Sequence, residues 1–177
     1  MGIGAAVLLE TDGGDWGAEA TAAALVEAIR GRPEPFDLLL LGNEAADSGD
    51  YQVGVRVAHA LGLPCVVGIK GIAIEDGRLT ARREAGGGWE IFELPLPAVA
   101  TVKEGINLPR YASLPGRLRA KKTPIERIAP QPRASALETI RLVVPPEQQS
   151  HVEILGGGAD AAPRVVEVLR ELGLVSS

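Results

Sequence analysis

Residues 36–54 read FDLLLLGNEAADSGDYQVG, in which an apolar run passes directly into a polar, glycine-containing segment. The run 36–41 has the length of one strand and is nearly all apolar, which is typical of a parallel strand covered on both faces. Apolar residues resume at helical spacing over 51–61, and Gly62 follows as a stop signal. A strand, a polar turn and a helix in this order predict part of a βαβ unit.

The flanking segments continue this alternation. Residues 4–9 and 65–69 predict two further short strands, and residues 16–30 predict an alanine-rich helix. The succession of strands and helices indicates an α/β fold in three layers with a mostly parallel sheet. An antiparallel hairpin is then expected within 70–95, because strand-like stretches there flank the turn Glu75-Asp76-Gly77.

The rest of the chain has a weaker pattern. Residues 98–102 predict another strand, whereas 103–132 carry five prolines and predict a long exposed loop with one helical turn. A strand is expected at 140–144 and a C-terminal helix at 159–172. We therefore expect three parts: an α/β domain over 1–103, a loop over 104–133, and a C-terminal arm with a helix over 134–177.

The composition favours a folded, soluble protein, with 46% hydrophobic and 23% charged residues. A single cysteine, Cys65, excludes an internal disulfide. The N-terminus lacks a basic region before its apolar residues, and no apolar run reaches the roughly 20 residues of a membrane span. We therefore expect no signal peptide and no membrane insertion, and a cytoplasmic location, or the mitochondrial matrix in a eukaryote.

The net charge of −5 is unevenly distributed. Between Arg110 and Arg133 the chain has seven Lys or Arg against one acid, Glu126. A basic strip on an otherwise acidic protein indicates an acidic partner surface or a phosphate, and argues against general nucleic-acid binding. A merely solvated basic loop remains the alternative.

The polar turn after residue 41 is the leading candidate site, because ligands of open α/β sheets bind beyond the carboxyl ends of the strands. Its glycines permit close backbone approach, and the helix N-terminus favours an anion such as phosphate. Asp47, Ser48 and Asp50 are candidate helix caps, and Gln52 is a candidate partner for a base or ribose. Spacing alone leaves open that this is only a capped turn.

His59 and His151 are too far apart for a recognisable metal site, and no catalytic motif appears, so we expect no enzyme.

Four stretches, taken in order, resemble the β subunit of electron-transfer flavoproteins, and together they cover roughly residues 1–130. They are Gly42-Asn43-Glu44-Ala45-Ala46-Asp47 with Gln52-Val53-Gly54; Leu61-Gly62-Leu63-Pro64; Arg83-Glu84, Trp89-Glu90 and 94–99; and 107–115 with Arg119-Ala120-Lys121-Lys122. The resemblance implies a Rossmann-like, adenine-nucleotide α-hydrolase-like domain. It also implies a flavin that carries the electrons while the protein positions it.

The cofactors implied are FAD, shared with an α subunit, and a structural AMP, which a second FAD replaces in electron-bifurcating members. The residues implied at the nucleotide are Gly42, Asn43, Glu44, Ala45, Ala46, Asp47, Ser48, Gly49, Asp50, Tyr51, Gln52 and Val53. The implied partners are the α subunit in a heterodimer, flavin dehydrogenases of the acyl-CoA type, and a quinone oxidoreductase. The residues implied in partner recognition are Arg110, Tyr111, Leu114 as apolar anchor, Pro115, Arg119, Lys121 and Lys122. Glu84 is implied to contact the flavin domain of the α subunit.

The sequence departs from the family pattern at three points. The usual subunit begins with a further strand-helix-strand region of about 70–80 residues, roughly one mononucleotide-binding half. The loop reads Asp-Ser-Gly-Asp-Tyr-Gln, so its second carboxylate is displaced, and Arg119 replaces a common lysine. The alternatives are a free-standing adenine-nucleotide-binding module or a remnant without electron transfer.

Overall fold

A computed structural model describes residues 3–11, 13–14, 16–131, 133, 140–146 and 152–175. The chain divides into two compact units, Met1–Glu138 and Thr139–Ser177. The first unit contains, in chain order, β1 (Ala6–Leu9), α1 (Ala18–Arg30), β2 (Leu38–Gly42), α2 (Val53–Leu61), β3 (Cys65–Ile69), β4 (Gly71–Glu75), β5 (Arg78–Ala85), β6 (Gly88–Pro95), β7 (Ala98–Val102), α3 (Leu114–Lys122) and β8 (Ile125–Ile128).

The α/β fold with a parallel sheet is confirmed. Strands β2, β7 and β3 form a parallel sheet in that order, with Leu38 opposite Ala98 and Cys65 opposite Val99. A second parallel pair joins β1 to β8, and β4, β5 and β6 form an antiparallel sheet. Because β2, β7 and β3 run the same way, their carboxyl ends lie at one edge of the central sheet.

The central sheet is covered on both faces, which gives three layers. On one face Leu39 and Leu41 of β2 pack against helices α1 and α2, whose buried residues there are Ala22, Val26 and Val57. On the other face Leu38 packs against a core shared with the antiparallel sheet, which contributes Leu79, Ala81 and Leu94. Alternate residues of β2 therefore enter different cores, as the period of a strand requires.

The four leucines of β2, residues 38–41, are less buried than their apolar pattern predicts. Strand β2 pairs only with β7 in the described part of the chain, so it lies at an edge of the sheet. Leu40, on the same face as Leu38, keeps 57% of its surface exposed. An apolar run of this kind is typical of a strand with neighbours on both sides, and β2 has one.

The prediction of a long exposed loop with one helical turn over 103–132 is partly right: most described residues of the segment are exposed, but it contains a longer helix, α3, and a strand, β8. Ser113 caps α3, since its Oγ accepts the N–H of Gly116 at 3.2 Å, and Pro115 lies in the first turn, where proline is tolerated. Strand β8 pairs in parallel with β1, with Ile125 opposite Ala6. The prolines therefore mark the boundaries of short elements instead of excluding them.

The second unit contains a short 3-10 helix, Gly158–Ala161, followed by α4, Ala162–Glu171. The predicted C-terminal helix is thus confirmed. The strand predicted at 140–144 is absent: these residues have no regular structure, and Ile140 and Leu142 are almost fully exposed. Strands need a hydrogen-bonded neighbour, and the described part of this unit offers none.

An ion pair joins Arg32, which follows α1, to Glu126 of β8, and its contribution to stability is predicted to depend on pH. Nη1 and Nη2 of Arg32 donate to the carboxylate of Glu126, at 2.7 and 3.0 Å, and these hydrogen bonds lower the pKa of Glu126. A carboxyl with a lowered pKa in the folded state stabilises the fold above its unfolded-state pKa, near 4.5, and this contribution disappears as the pH falls through the folded-state pKa. Glu126→Gln is therefore expected to lower the thermal midpoint slightly at pH 7, by an amount that shrinks below pH ~4.

Thermal unfolding followed at several pH values measures this difference. Glu93→Gln is the matched control, since its single contact with Arg78 is longer, at 3.5 Å, and both side chains are more than half exposed. Equal midpoints for Glu126→Gln and the unsubstituted protein at pH 7 would contradict the expectation.

Candidate functional site

The loop between β2 and α2, residues 43–52, lies at the carboxyl edge of the parallel sheet and is largely open to solvent. It is shaped by a turn in which the N–H of Gly49 donates to the carbonyl oxygen of Ala45 at 2.9 Å. Gly49 and Tyr51 both have positive φ, at 59° and 57°. Tyrosine rarely adopts this conformation, so the turn holds Tyr51 in a costly backbone geometry.

The predicted capping of α2 by Asp47, Ser48 and Asp50 is wrong. The helix starts at Val53, its N-cap is Gln52, and no side chain caps it. The carboxylate of Asp47 instead accepts the N–H of Ser48 at 2.8 Å, which stabilises the turn itself. The three predicted caps lie too early in the chain to reach the second and third N–H groups of the helix. The first N–H groups of α2 therefore remain available to an anion.

Gln52 is only partly available to a ligand. Its side-chain oxygen accepts hydrogen bonds from Nε and Nη2 of Arg56, at 3.1 and 2.9 Å. The predicted role of addressing a base or ribose is therefore limited to its amide N–H groups. The spacing of four residues between Gln52 and Arg56 is the sequence signal for this contact.

Tyr51 and Glu44 connect the two ends of the loop. A hydrogen bond to the Glu44 carboxylate raises the pKa of the Tyr51 phenol, with a smaller contribution from the negative charge. Both residues are exposed, so this contact buries no charge.

Thr101 of β7 is the residue that the sequence prediction missed. Its side chain is 2% exposed, and its Oγ1 accepts the N–H of Gly68 at 2.9 Å and donates to Oδ1 of Asn43 at 2.8 Å. The Asn43 N–H also donates to the carbonyl oxygen of Val102, at 3.2 Å. A hydroxyl in the otherwise apolar strand AVATV was the available signal, because buried polar groups need partners.

Two open cavities lie elsewhere in the described part of the chain. One of about 180 Å³ lies between α1 and residues 128–131, and one of about 360 Å³ lies at residues 84–89 of the hairpin. The loop 43–52 lines neither of them. The described loop residues are therefore open to solvent along the edge of the sheet.

Of the residues predicted to recognise a partner, Arg110 and Tyr111 lie in the irregular segment before α3 and the others lie in α3. Tyr111 is fully exposed ahead of α3, and Leu114 is the first residue of the helix, with 68% exposure. Leu118, which the prediction did not include, is 54% exposed and lies four residues later, on the same side of the helix. The basic residues Arg119, Lys121 and Lys122 occupy the last turn, where positive charge suits the helix dipole.

Glu84 is not a free carboxylate. Its Oε2 lies 2.8 Å from Nζ of Lys70, and this hydrogen bond raises the pKa of Lys70. Glu84 is opposite Trp89 in the register of β5 and β6, and the guanidinium of Arg82 lies 5.6 Å from the centre of the Trp89 ring. A partner that binds Glu84 must therefore share it with Lys70.

Comparison with known proteins decides the family. The model of the electron transfer flavoprotein domain matches residues 1–132. The chain belongs to the electron transfer flavoprotein domain family. The matched segment contains the loop, the hairpin and α3, and it falls entirely within the first compact unit.

Several electron transfer flavoprotein subunits are similar to the chain. The subunit beta of Syntrophomonas wolfei is 40% identical over 135 residues, which are 76% of this chain and 53% of that protein. The subunit beta of Bacillus subtilis is 34% identical over 78% of this chain and 57% of its own length. The subunit CarD of the caffeyl-CoA reductase-Etf complex of Acetobacterium woodii is 34% identical over 62% of this chain and 40% of its own length. The chain thus spans a little over half of the subunit beta sequences that it matches.

Three further features of the described residues concern membrane crossing, metal binding and the single thiol. No helix in the described part of the chain combines the length and apolar character that crossing a bilayer requires. Among the described residues, no three or more His, Cys, Asp or Glu side chains are grouped as a metal site would need. Cys65 is a free thiol whose pKa is raised by burial, so it is a poor nucleophile.

Proposed function

We propose that this chain acts as a β-type subunit of an electron transfer flavoprotein. In this function it binds an adenine nucleotide structurally, AMP or a second FAD, and docks flavin dehydrogenases while FAD is held together with an α subunit. The observation that most directly supports this proposal is the family match over residues 1–132, which includes both the loop and α3. The proposed place of action is the cytoplasm, or the mitochondrial matrix in a eukaryote.

The residues around the loop fit the phosphate of a nucleotide. The N–H groups at the start of α2 have no side-chain cap, and Asn43 is fixed at the carboxyl edge of the sheet by Thr101. Both features supply hydrogen-bond donors to an anion. Bound FAD would supply the electron transfer itself, and the residues of this chain would bind, orient and dock without a covalent step.

Helix α3 supports the docking function. It presents two exposed leucines, Leu114 and Leu118, next to a basic last turn. Weak electron-transfer encounters have small interfaces, in which charge increases the association rate and apolar contacts fix the register. The quinone oxidoreductase and the acyl-CoA-type dehydrogenases are proposed to use this surface in turn.

Co-expression with an electron transfer flavoprotein α subunit tests the proposal. We expect a yellow complex that elutes as a heterodimer and shows flavin absorbance, because FAD binding needs both chains. The α subunit expressed alone under the same conditions is the control. A colourless chain that does not associate with the α subunit would contradict the proposed function.

A free-standing adenine-nucleotide-binding module is the second candidate, and the start of α2 favours it, because no side chain caps the first N–H groups there. This function predicts that the isolated chain binds AMP without an α subunit, which calorimetry measures directly. Binding of AMP only in the presence of the α subunit would exclude it.

A further inference from the structure

We propose that residues 125–131, the strap, detach locally from the first unit while its two hydrophobic cores stay folded, and that ionic strength controls this opening. The strap consists of β8 and the irregular residues after it, and it follows α3 closely in the chain. Its release frees one of the two ends at which α3 is held. This inference goes beyond the proposed function and does not depend on it.

The strap contributes little to the hydrophobic cores. None of its residues is fully buried: Ile128 and Pro130 are half-buried, and the others are exposed. Neither of these two residues belongs to, or packs against, either of the two core clusters. Segments with few buried apolar contacts open locally at a smaller free-energy cost than the core does. The strap therefore lacks the apolar burial that would make it unfold only together with the cores.

Backbone hydrogen bonds join the strap to a single strand. β8 and β1 have four residues each and form a parallel sheet of two strands in the described part of the chain. The Glu10 N–H extends this ladder by donating to the carbonyl oxygen of Ile128 at 2.8 Å. A pair of strands needs a third strand or a well-packed helix to be stable by itself, and parallel pairing is slightly weaker per residue than antiparallel pairing.

The side of the strap that faces α1 is loosely packed. A cavity of about 180 Å³ separates the two, with Ala24 and Ala28 of α1 on one side and Ile128 and Pro130 on the other. Because alanine side chains are too short to fill this space, the strap gains little dispersion energy from the helix there. The helix therefore does not provide the close packing that a two-stranded sheet requires.

Three Arg–Glu ion pairs supply much of the remaining attachment, and they connect the strap and the segment just beyond it to residues in or next to α1 and β1. They are Arg32–Glu126, Arg127–Glu10 and Arg133–Glu27. In each pair at least one side chain is more than half exposed. Exposed pairs of this kind are individually weak and are screened by dissolved salt. The attachment of the strap should therefore weaken as the ionic strength rises, whereas the apolar cores should not respond in this way.

Release of the strap changes how α3 is held. The helix has one buried residue, Gly116, and it is joined to the rest of the first unit through β7 on one side and the strap on the other. On the β7 side, Gly105 lies in a turn with a φ of +85°. With the strap open, only this side fixes α3, so its exposed leucines can adopt more than one orientation.

Amide hydrogen exchange on the full chain, followed by NMR at neutral pH, measures the opening. The Glu10 N–H reports on the strap, and the Val99 N–H, which donates to the carbonyl oxygen of Pro64 at 2.9 Å, reports on the central sheet. We expect the Glu10 amide to be about a hundredfold less protected than the Val99 amide. Raising the NaCl concentration from about 0.02 M to about 0.5 M should lower the protection of Glu10 by about three- to tenfold and leave that of Val99 unchanged.

A triple variant removes the carboxylates of the three ion pairs, by Glu10→Gln, Glu27→Gln and Glu126→Gln. It is expected to lower the protection factor of the strap amides by about tenfold and to abolish most of their salt dependence. The matched control changes the net charge equally at ion pairs outside the strap, by Glu93→Gln, Glu167→Gln and Glu171→Gln. This control should leave the protection of the strap unchanged. Protection of Val99, read in the same samples, shows that the central sheet remains folded.

The effect on α3 is measured by the NMR order parameter of the Arg117 amide, which should fall in the triple variant and not in the control. Equal protection of Glu10 and Val99 would overturn the proposal, and so would a weakly protected Glu10 whose exchange does not respond to salt. An unchanged Arg117 order parameter would show that the strap does not hold α3. None of these measurements needs a flavin, a nucleotide or a partner, so a failure of the proposed function leaves their outcome unaffected.

Discussion

Replacing Gly54 with Ala is expected to destabilise the first unit far more than the same replacement at Gly42. Gly54 lies buried in the first turn of α2, and a Cβ built there would overlap with Cγ2 of Thr101. Thr101 cannot rotate away without breaking its hydrogen bonds to Gly68 and Asn43. Overpacking of this kind costs about 1–3 kcal/mol, so the thermal midpoint should fall by several degrees.

The double variant Gly54→Ala, Thr101→Ser distinguishes this clash from a general effect on the helix. Serine lacks Cγ2 and keeps the hydroxyl, so it should recover most of the lost stability. Gly42→Ala is the matched control, because its added Cβ would meet only a carbonyl oxygen at 3.9 Å. A Gly54→Ala protein as stable as the unsubstituted one would show that α2 does not approach β7 this closely.

Replacing both Leu114 and Leu118 with Ala is expected to reduce the rate of electron transfer with an acyl-CoA-type dehydrogenase. Each leucine is more than half exposed in the chain. Burying one in an interface contributes about 1.5 kcal/mol, so each is expected to be worth about tenfold in the second-order rate. Flavin content and thermal midpoint should not change, because neither side chain belongs to the core.

Stopped-flow measurement of the second-order rate in the reconstituted heterodimer provides the test. Leu174→Ala is the matched control, since Leu174 has the same 68% exposure as Leu114 but belongs to the second unit. Substituting Lys121 and Lys122 with Gln should weaken the salt dependence of the rate, because exposed charges act mainly on association. An unchanged rate in the double leucine variant would remove α3 from the docking surface.

The sequence by itself determined the alternation of strands and helices up to residue 102. Periodicity and glycine stop signals predicted α1, α2 and the hairpin, because the spacing of apolar residues along a segment indicates which of its faces is buried. It also determined that the loop 43–52 follows a strand, although β2 is less buried than its apolar run predicts. Helix starts that are marked only by capping residues were harder to predict, and α3 is the example. Ser113 and Pro115 together mark its start, but the number of prolines in this segment favoured a loop.

Tertiary structure alone decided the contacts between elements that are distant in sequence. Pairing of β8 with β1, the exposure of Leu40 at a sheet edge, and the occupation of Glu84 by Lys70 depend on which strands meet. The same is true of Thr101, whose hydroxyl connects β3 to Asn43. A local pattern indicates which residues of a segment are buried and where a helix begins. The hydrogen-bond partner of a buried hydroxyl depends instead on strand order and register, and these cannot be predicted from one segment alone.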